Sequence, residues 1–162
     1  MAKPAPCILV VEDERAVRDL VVAFLKTAGY VVATAGNAEE AAYYILKDKG
    51  LDIRLAIVDL MLPNANGLTL IRKLREAKNP RRRALPVIVL TGRTDTETYK
   101  AAARRGIHAY LMKPVSCGLL LDTVAKVLGE GAAALRTGPI AAPPPALEEF
   151  EKIPSKGSTP GG

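Results

Sequence analysis

Five short apolar runs, four of them closing on a polar or charged residue and most followed by an amphipathic stretch, constrain this chain more than any other feature. They are "CILVV" (7–11), "YVVATA" (30–35), "LAIV" (55–58), "PVIVL" (86–90) and "HAYLM" (108–112). Each has the length of a strand and little alternation of polar with apolar residues, the pattern of strands covered on both faces.

The stretches between them repeat apolar residues at helical spacing. After the first run, Val17, Leu20, Val21, Phe24, Leu25 and Ala28 share one face, and Gly29 stops the helix. Asn37 and Glu40 have the spacing of a capping box ahead of a helix that turns Ala41, Tyr44 and Ile45 inward. A helix after Gly67 buries Leu70, Ile71 and Leu74; Thr94 and Glu97 are expected to cap an alanine-rich helix ending at Gly106. A last helix carries Leu120, Leu121, Val124, Val127 and Leu128.

Five strands alternating with five helices predict an α/β fold: a doubly wound, five-stranded parallel sheet with helices on both faces. Right-handed crossovers leave few topologies. The expected order is flavodoxin-like, 2-1-3-4-5, with its switch point between the first and third strands. The globular domain is placed at 6–129. Beyond it, 130–162 holds half of the chain's 12 prolines and too little apolar content to offset chain entropy, so a disordered tail is expected there. Leu147, Phe150 and Ile153 fall on one face of a short segment in this tail.

If the strands run parallel, their polar ends meet. Glu12 and Asp13 follow the first strand, Asp59 the third, Thr91 the fourth and Lys113 the fifth. Three carboxylates at the edge of an apolar sheet are unfavourable unless a cation neutralises them. Hard oxygen ligands in small number suit Mg2+, which keeps several waters and binds phosphate oxygens as well. Asp59 lies centrally and is the candidate nucleophile toward phosphorus. Lys113 is placed to pair with phosphoryl oxygens and Thr91 to donate a hydrogen bond to them.

The net charge of +6 invites a nucleic-acid reading. Residues 1–129 carry 20 basic and 13 acidic side chains, and much of the excess falls in "IRKLREAKNPRRR" (71–83). No interleaved aromatic residues accompany it, so a solvated loop is the expectation for this segment. The longest apolar runs fall far short of the ~20 residues of a membrane span, and "MAKPAPC" has no signal-peptide pattern, so a soluble cytoplasmic protein is expected. Cys7 and Cys117 lack metal-ligand spacing, and His108 has no neighbouring ligand cluster.

Taken together, "VVEDE", "IVDLMLPNANG", "IVLTG" and "AYLMKP" resemble, in order, the conserved-type elements of the receiver domain of bacterial two-component response regulators, in its single-domain, chemotaxis-regulator-like form. The resemblance implies that Asp59 accepts a phosphoryl group from a histidine kinase or phosphotransfer protein. It implies Mg2+ held by Glu12, Asp13, Asp59 and the backbone carbonyl of Met61, and a cis peptide between Lys113 and Pro114. Thr91 and Tyr110 would act as switch residues that remodel the surface of the fourth helix, fifth strand and fifth helix toward a downstream protein. Met61 and Arg93, two past the acceptor and the switch hydroxyl, fall where the family tunes phosphoryl lifetime. Glu12 replaces the commoner Asp, and "PNANG" lacks the usual Gly and acid of the loop, although Asn64 tolerates a left-handed backbone.

Three other readings compete. A haloacid-dehalogenase-like aspartyl-phosphate phosphatase needs a second Asp two positions after the nucleophile as general acid, and Met61 stands there. Direct DNA binding needs a recognition element, and none is evident after residue 129. A degenerate, phosphorylation-independent receiver is disfavoured by the presence of Asp59, Thr91 and Lys113. The expectation is a stand-alone phosphorylation switch, not an enzyme by function, with neither DNA nor membrane as partner.

Overall fold

A strand apolar on both faces is stable only between two layers, and the computed structural model buries 7–11, 55–58 and 87–90 completely, while the edge runs 31–35 and 109–112 are partly exposed. It describes residues 6–47, 51–63, 65–93 and 95–129; the expected tail at 130–162, Asn64 and Thr94 lie outside them. In chain order the elements are β1 (Cys7–Val11), α1 (Arg15–Thr27), β2 (Val31–Ala35), α2 (Ala38–Leu46), β3 (Ile53–Val58), β4 (Met61–Leu62), β5 (Ala65–Asn66), α3 (Gly67–Arg75), α4 (Pro80–Arg83), β6 (Val87–Thr91), α5 (Thr96–Arg104), β7 (Ala109–Met112) and α6 (Cys117–Val127). The main sheet is parallel with order β2-β1-β3-β6-β7, which is the expected doubly wound order.

Alternation along the strands divides the core in two. Leu9, Val11, Ala56, Val58, Val87, Val89 and Tyr110 face α2, α3 and α5, whose Ala41, Ile45, Leu70, Ile71, Leu74 and Ala102 complete that layer. Ile8, Val10, Leu55, Ile57, Ile88, Leu90 and Leu111 face α1 and α6, packing on Val21, Leu25, Leu120 and Val124. A fully buried aliphatic side chain contributes about 1.5–3 kcal/mol, so these two layers supply the bulk of the stabilisation.

Several local expectations are corrected. The described residues contain six helices, the extra one being α4, where Asn79 caps and Pro80 occupies the first turn. The loop after Asp59 closes as a two-stranded antiparallel ribbon pairing Met61 with Asn66 and Leu62 with Ala65. Leu20, expected inside, is half exposed, and Ala28 is exposed. Around α2, Asn37 Oδ1 accepts the Glu40 N–H at 2.7 Å, but the Glu40 carboxylate returns to the Gly36 N–H at 2.9 Å, one residue earlier than a capping box requires.

The basic segment is not a solvated loop. Arg75, at the end of α3, donates Nε to the Arg105 carbonyl (2.8 Å), Nη1 to the carbonyls of Arg83 and Leu85 (both 2.8 Å) and Nη2 to that of Gly106 (3.0 Å). One guanidinium thus fastens the ends of α3, α4 and α5 at the amino edge of the sheet. Arg83 reaches the carbonyls of Ala77 and Lys78, Arg82 that of Leu46, and Arg81 pairs with Asp52. His108 stands beside this clasp; its Nδ1 accepts the Val87 N–H at 3.4 Å, and burial together with the Arg75 charge lowers its pKa. Among the described residues no helix is long and apolar enough to cross a membrane.

Replacing Arg75 with alanine leaves four carbonyls at the ends of α4 and α5, most of them partly buried, without their donor. It is expected to cost about 3 kcal/mol in urea unfolding, with Arg75→Lys recovering only part of the loss because an ammonium cannot match the planar fork.

Candidate functional site

Parallel ladder bonds run one residue beyond the strands and pin the charged residues in register. Glu12 N–H donates to the Ala35 carbonyl, Asp59 N–H to that of Val11, and Lys113 N–H to that of Thr91, each at 3.0 Å. Backbone positions that continue a sheet have little freedom, so three charged side chains are delivered to one edge whatever their mutual repulsion.

What makes the crowding tolerable is Lys113. Its Nζ lies 2.8 Å from Glu12 Oε1 and 2.8 Å from Asp59 Oδ2, and both carboxylates are only 4% exposed. Asp59 Oδ1 also accepts the Met61 N–H at 3.0 Å, and Glu12 Oε2 the Glu14 N–H at 3.1 Å. Asp13 is exposed but close: Glu12, Asp13 and Asp59 each offer an oxygen within 4.8 Å of the others.

Burial pushes the Glu12 carboxyl above its ordinary pKa, the Lys113 hydrogen bond pulls it back, and the Asp59 charge pushes it up again; the net direction is up. Burial pulls the Lys113 ammonium down, but the hydrogen bonds to Asp59 and Glu12 outweigh it and the net direction is again up. Lys113 therefore stays charged, and one ammonium between three carboxylates leaves an excess of negative charge at the edge. That donor set, hard oxygens on two adjacent strands with an exposed third acid, fits a small divalent cation such as Mg2+.

The remaining expected residues surround this cluster. Thr91 is fully buried at the end of β6, and its Oγ1 accepts the Arg93 N–H at 3.2 Å. Tyr110 is fully buried on β7; its hydroxyl donates to the Arg93 carbonyl at 3.0 Å and its ring meets Tyr99 edge-on at 5.2 Å. Burial, and secondarily the Asp95 charge, push its phenol up to about 12. Met61 begins β4 with its side chain 54% exposed. The Lys113–Pro114 peptide is cis, as the resemblance implied.

Two participants, Gly67 and Asp95, are not marked by the sequence pattern. Gly67 was read only as a helix start, yet a Cβ there would lie 2.5 Å from the Asp59 carbonyl oxygen and 2.8 Å from Leu60 Cα; its N–H donates to the Leu60 carbonyl at 3.0 Å. The start of α3 rests directly on the acceptor's backbone, and only glycine fits. Asp95, not Thr94, caps α5: its Oδ2 accepts Thr98 N–H (2.9 Å) and Thr98 Oγ1–H (2.6 Å), while Oδ1 takes Arg93 Nε at 2.9 Å. Arg93 also places Nη1 3.8 Å from Met61 Sδ. A "TGRTDT" turn holds two hydroxyls and an acid at capping distance, so spacing alone does not choose among them.

Fold and site define a doubly wound α/β protein with a carboxylate–ammonium cluster at its switch point, the place where open sheets of this kind bind ligands. The chain belongs to the response regulator receiver domain family, whose profile residues 8–125 match. It is 33% identical over 156 residues to the DNA-binding transcriptional regulator NtrC of Azospirillum brasilense, covering 96% of this chain and 30% of that protein. It is 40% identical over 108 residues to the regulatory protein VanR of Enterococcus faecium, covering 66% of this chain and 43% of that one. The chain thus spans less than half the length of these two relatives. Among solved structures, a CheY-like receiver domain protein from Methanospirillum hungatei superposes with a TM-score of 0.70 at 30% identity over 78% of this chain and 96% of that one. A response regulator receiver protein from Pseudomonas putida does so with a TM-score of 0.70 at 36% identity, over 77% and 99%.

Two substitutions test the local architecture. Gly67→Ala is expected to destabilise by about 3 kcal/mol in chemical unfolding, because neither contact atom is a side chain that can move aside. For Asp95, burial raises the carboxyl, but the Thr98 and Arg93 bonds lower it further, from 3.8 to about 2. A depressed folded-state pKa stabilises above the unfolded value and loses that stabilisation as pH falls through the folded one. The side chain is 42% exposed, so solvent screening trims this linkage to about 1 kcal/mol. Asp95→Ala should therefore cost about 1–2 kcal/mol at neutral pH, a gap that narrows between roughly pH 4 and pH 2 in acid-titrated thermal unfolding.

Proposed function

We propose that this receiver domain is a phosphorylation-controlled switch in which Asp59 is the acceptor. The observation that carries the reading is the Lys113 ammonium held 2.8 Å from both Glu12 and Asp59, with Asp13 alongside, at the carboxyl ends of β1 and β3. In the transfer, an Asp59 carboxylate oxygen bonds to the phosphorus of a phosphohistidine on a histidine kinase or phosphotransfer protein; the N–P bond breaks and its electron pair stays with the imidazole. The product is an acyl phosphate on Asp59. Glu12, Asp13, Asp59 and the Met61 carbonyl would hold Mg2+, which when bound would supply charge neutralisation to the acids and the incoming oxygens.

Lys113 is positioned to move from pairing with two carboxylates to pairing with the phosphoryl oxygens. Thr91 offers its hydroxyl from the adjacent strand. A change of that hydroxyl's partner is felt at Arg93, and through the Arg93 carbonyl at Tyr110, so the output is a changed surface on α5, β7 and α6, which are the fourth helix, fifth strand and fifth helix of the sequence reading. A local charge change that biases a two-state packing element is a general switching device. Support for kinase or phosphotransfer partners comes from the family match and from similarity to the sensory/regulatory protein RpfC of Xanthomonas campestris, 34% identical over 118 residues.

The reading is of a cytoplasmic protein that works as a stand-alone regulator, signals through protein contacts and does not turn over an external substrate. The phosphatase alternative lacks its general acid, since Met61 stands in that position. For DNA binding, the arginines of the basic segment are engaged with backbone carbonyls and Asp52.

Incubation with acetyl phosphate and Mg2+ tests the reading by intact mass. Wild type should gain one phosphoryl group only when Mg2+ is present, and Asp59→Asn should gain none. Uptake by the Asn variant would remove Asp59 from the acceptor role, and continuous phosphate release from small esters would replace the switch by the phosphatase reading.

A further inference from the structure

The acceptor reading uses the backbone of Arg93 and leaves its side chain without a role. Its N–H meets the Thr91 hydroxyl and its carbonyl meets the Tyr110 hydroxyl. Its guanidinium lies between Asp95 Oδ1, at 2.9 Å, and Met61 Sδ, at 3.8 Å, and the Met61 N–H is in turn bound to Asp59 Oδ1. The head group is therefore parked on the acceptor's own loop, tied by its charge to the residue that caps α5.

That tie is weak by construction. Arg93 and Asp95 side chains are 48% and 42% exposed, and exposed ion pairs are held loosely against water and salt. A phosphoryl group on Asp59 adds up to about two negative charges and three strong acceptor oxygens at the head of the Met61 loop on which Arg93 rests, and a guanidinium binds such oxygens in a fork. Asp95 has a second hold: its other oxygen keeps the Thr98 N–H and hydroxyl whether or not Arg93 stays.

We propose that Arg93 and Asp95 form a latch: the Arg93 guanidinium leaves Asp95 for the phosphoryl group on Asp59, so that acceptor charge is reported directly to the start of α5. The inference rests on the acceptor reading of Asp59. It predicts competition. Asp95 in the unphosphorylated state withholds Arg93 from the site, and removing that carboxylate's charge strengthens the site's grip on a phosphoryl mimic. The pathway is separate from the Thr91–Tyr110 movement, because it runs through the side chain of Arg93 and not its backbone.

The test is a double-mutant cycle on the full chain, titrating beryllofluoride with Mg2+ in excess and following the Arg93 Nε–H resonance. Asp95→Asn is the informative variant, since asparagine caps a helix as well as aspartate does and removes only the charge. It should tighten beryllofluoride binding roughly two- to fivefold, the size of an exposed ion pair, and the gain should vanish when Arg93→Ala is also present. In wild type the Arg93 Nε–H signal should shift on binding. Equal affinity in wild type and Asp95→Asn, or the same gain without Arg93, overturns the latch while leaving the acceptor role standing. Failure of wild type to take up beryllofluoride at all overturns the acceptor role, and the latch with it.

Discussion

The ammonium of Lys113 between the carboxylates of Glu12 and Asp59 is the interaction on which the carboxyl edge depends. Burying two acids to 4% exposure costs several kcal/mol per ion unless each finds a charged partner and hydrogen bonds, and here each finds both. Lys113 reaches them from β7 past the end of β6, whose edge residue is the small hydroxyl of Thr91. The arrangement still leaves three acids to one ammonium, so stability and cation affinity are set against each other in the same few side chains.

At the opposite edge the same physics runs in the other direction. Arg75, Arg82 and Arg83 bind carbonyl oxygens at the ends of helices and at approaches to strands, satisfying acceptors that a helix terminus leaves open. The net charge of +6 therefore describes a molecule whose cations are partly internal fittings. A positive composition speaks for a polyanion surface only when the cations are free to face one, and this segment shows why position has to be known before charge is interpreted.

The five sheet strands, their order and the convergence of Glu12, Asp59, Thr91 and Lys113 were legible because strand periodicity and right-handed crossovers leave one edge for all of them. The individual hydrogen bonds were not. "PNANG" reads as a loop because its residues favour turns, yet two bonded pairs of residues make it a ribbon. "NPRRR" reads as a charged loop because three arginines dominate it, yet Asn79 and Pro80 are the helix-starting pair. Gly67 reads as a helix boundary, and the reason for it, a backbone contact with Asp59 and Leu60, is long in space and invisible in the local pattern. Leu20 shows the converse: helical spacing gives it an inward face, yet it is 50% exposed.

The position of Tyr110 bears on the energetics of the proposed switch. Its ring is fully buried against Tyr99 and its hydroxyl is bound to the Arg93 carbonyl. Moving such a ring to solvent forfeits about 2–3 kcal/mol of burial and a further 0.5–1.5 kcal/mol from the aromatic pair. Absent an equal gain elsewhere, the inward state is the ground state, and an outward Tyr110 is a minor species at the level of one per cent or less. A phosphoryl group can add little to an equilibrium already on that side through Tyr110 alone; its leverage has to come from contacts that differ between the two charge states of Asp59. The described side chains in a position to differ in that way are Lys113, Thr91 and Arg93, and of these only Arg93 has its charge paired with Asp95, the cap of α5.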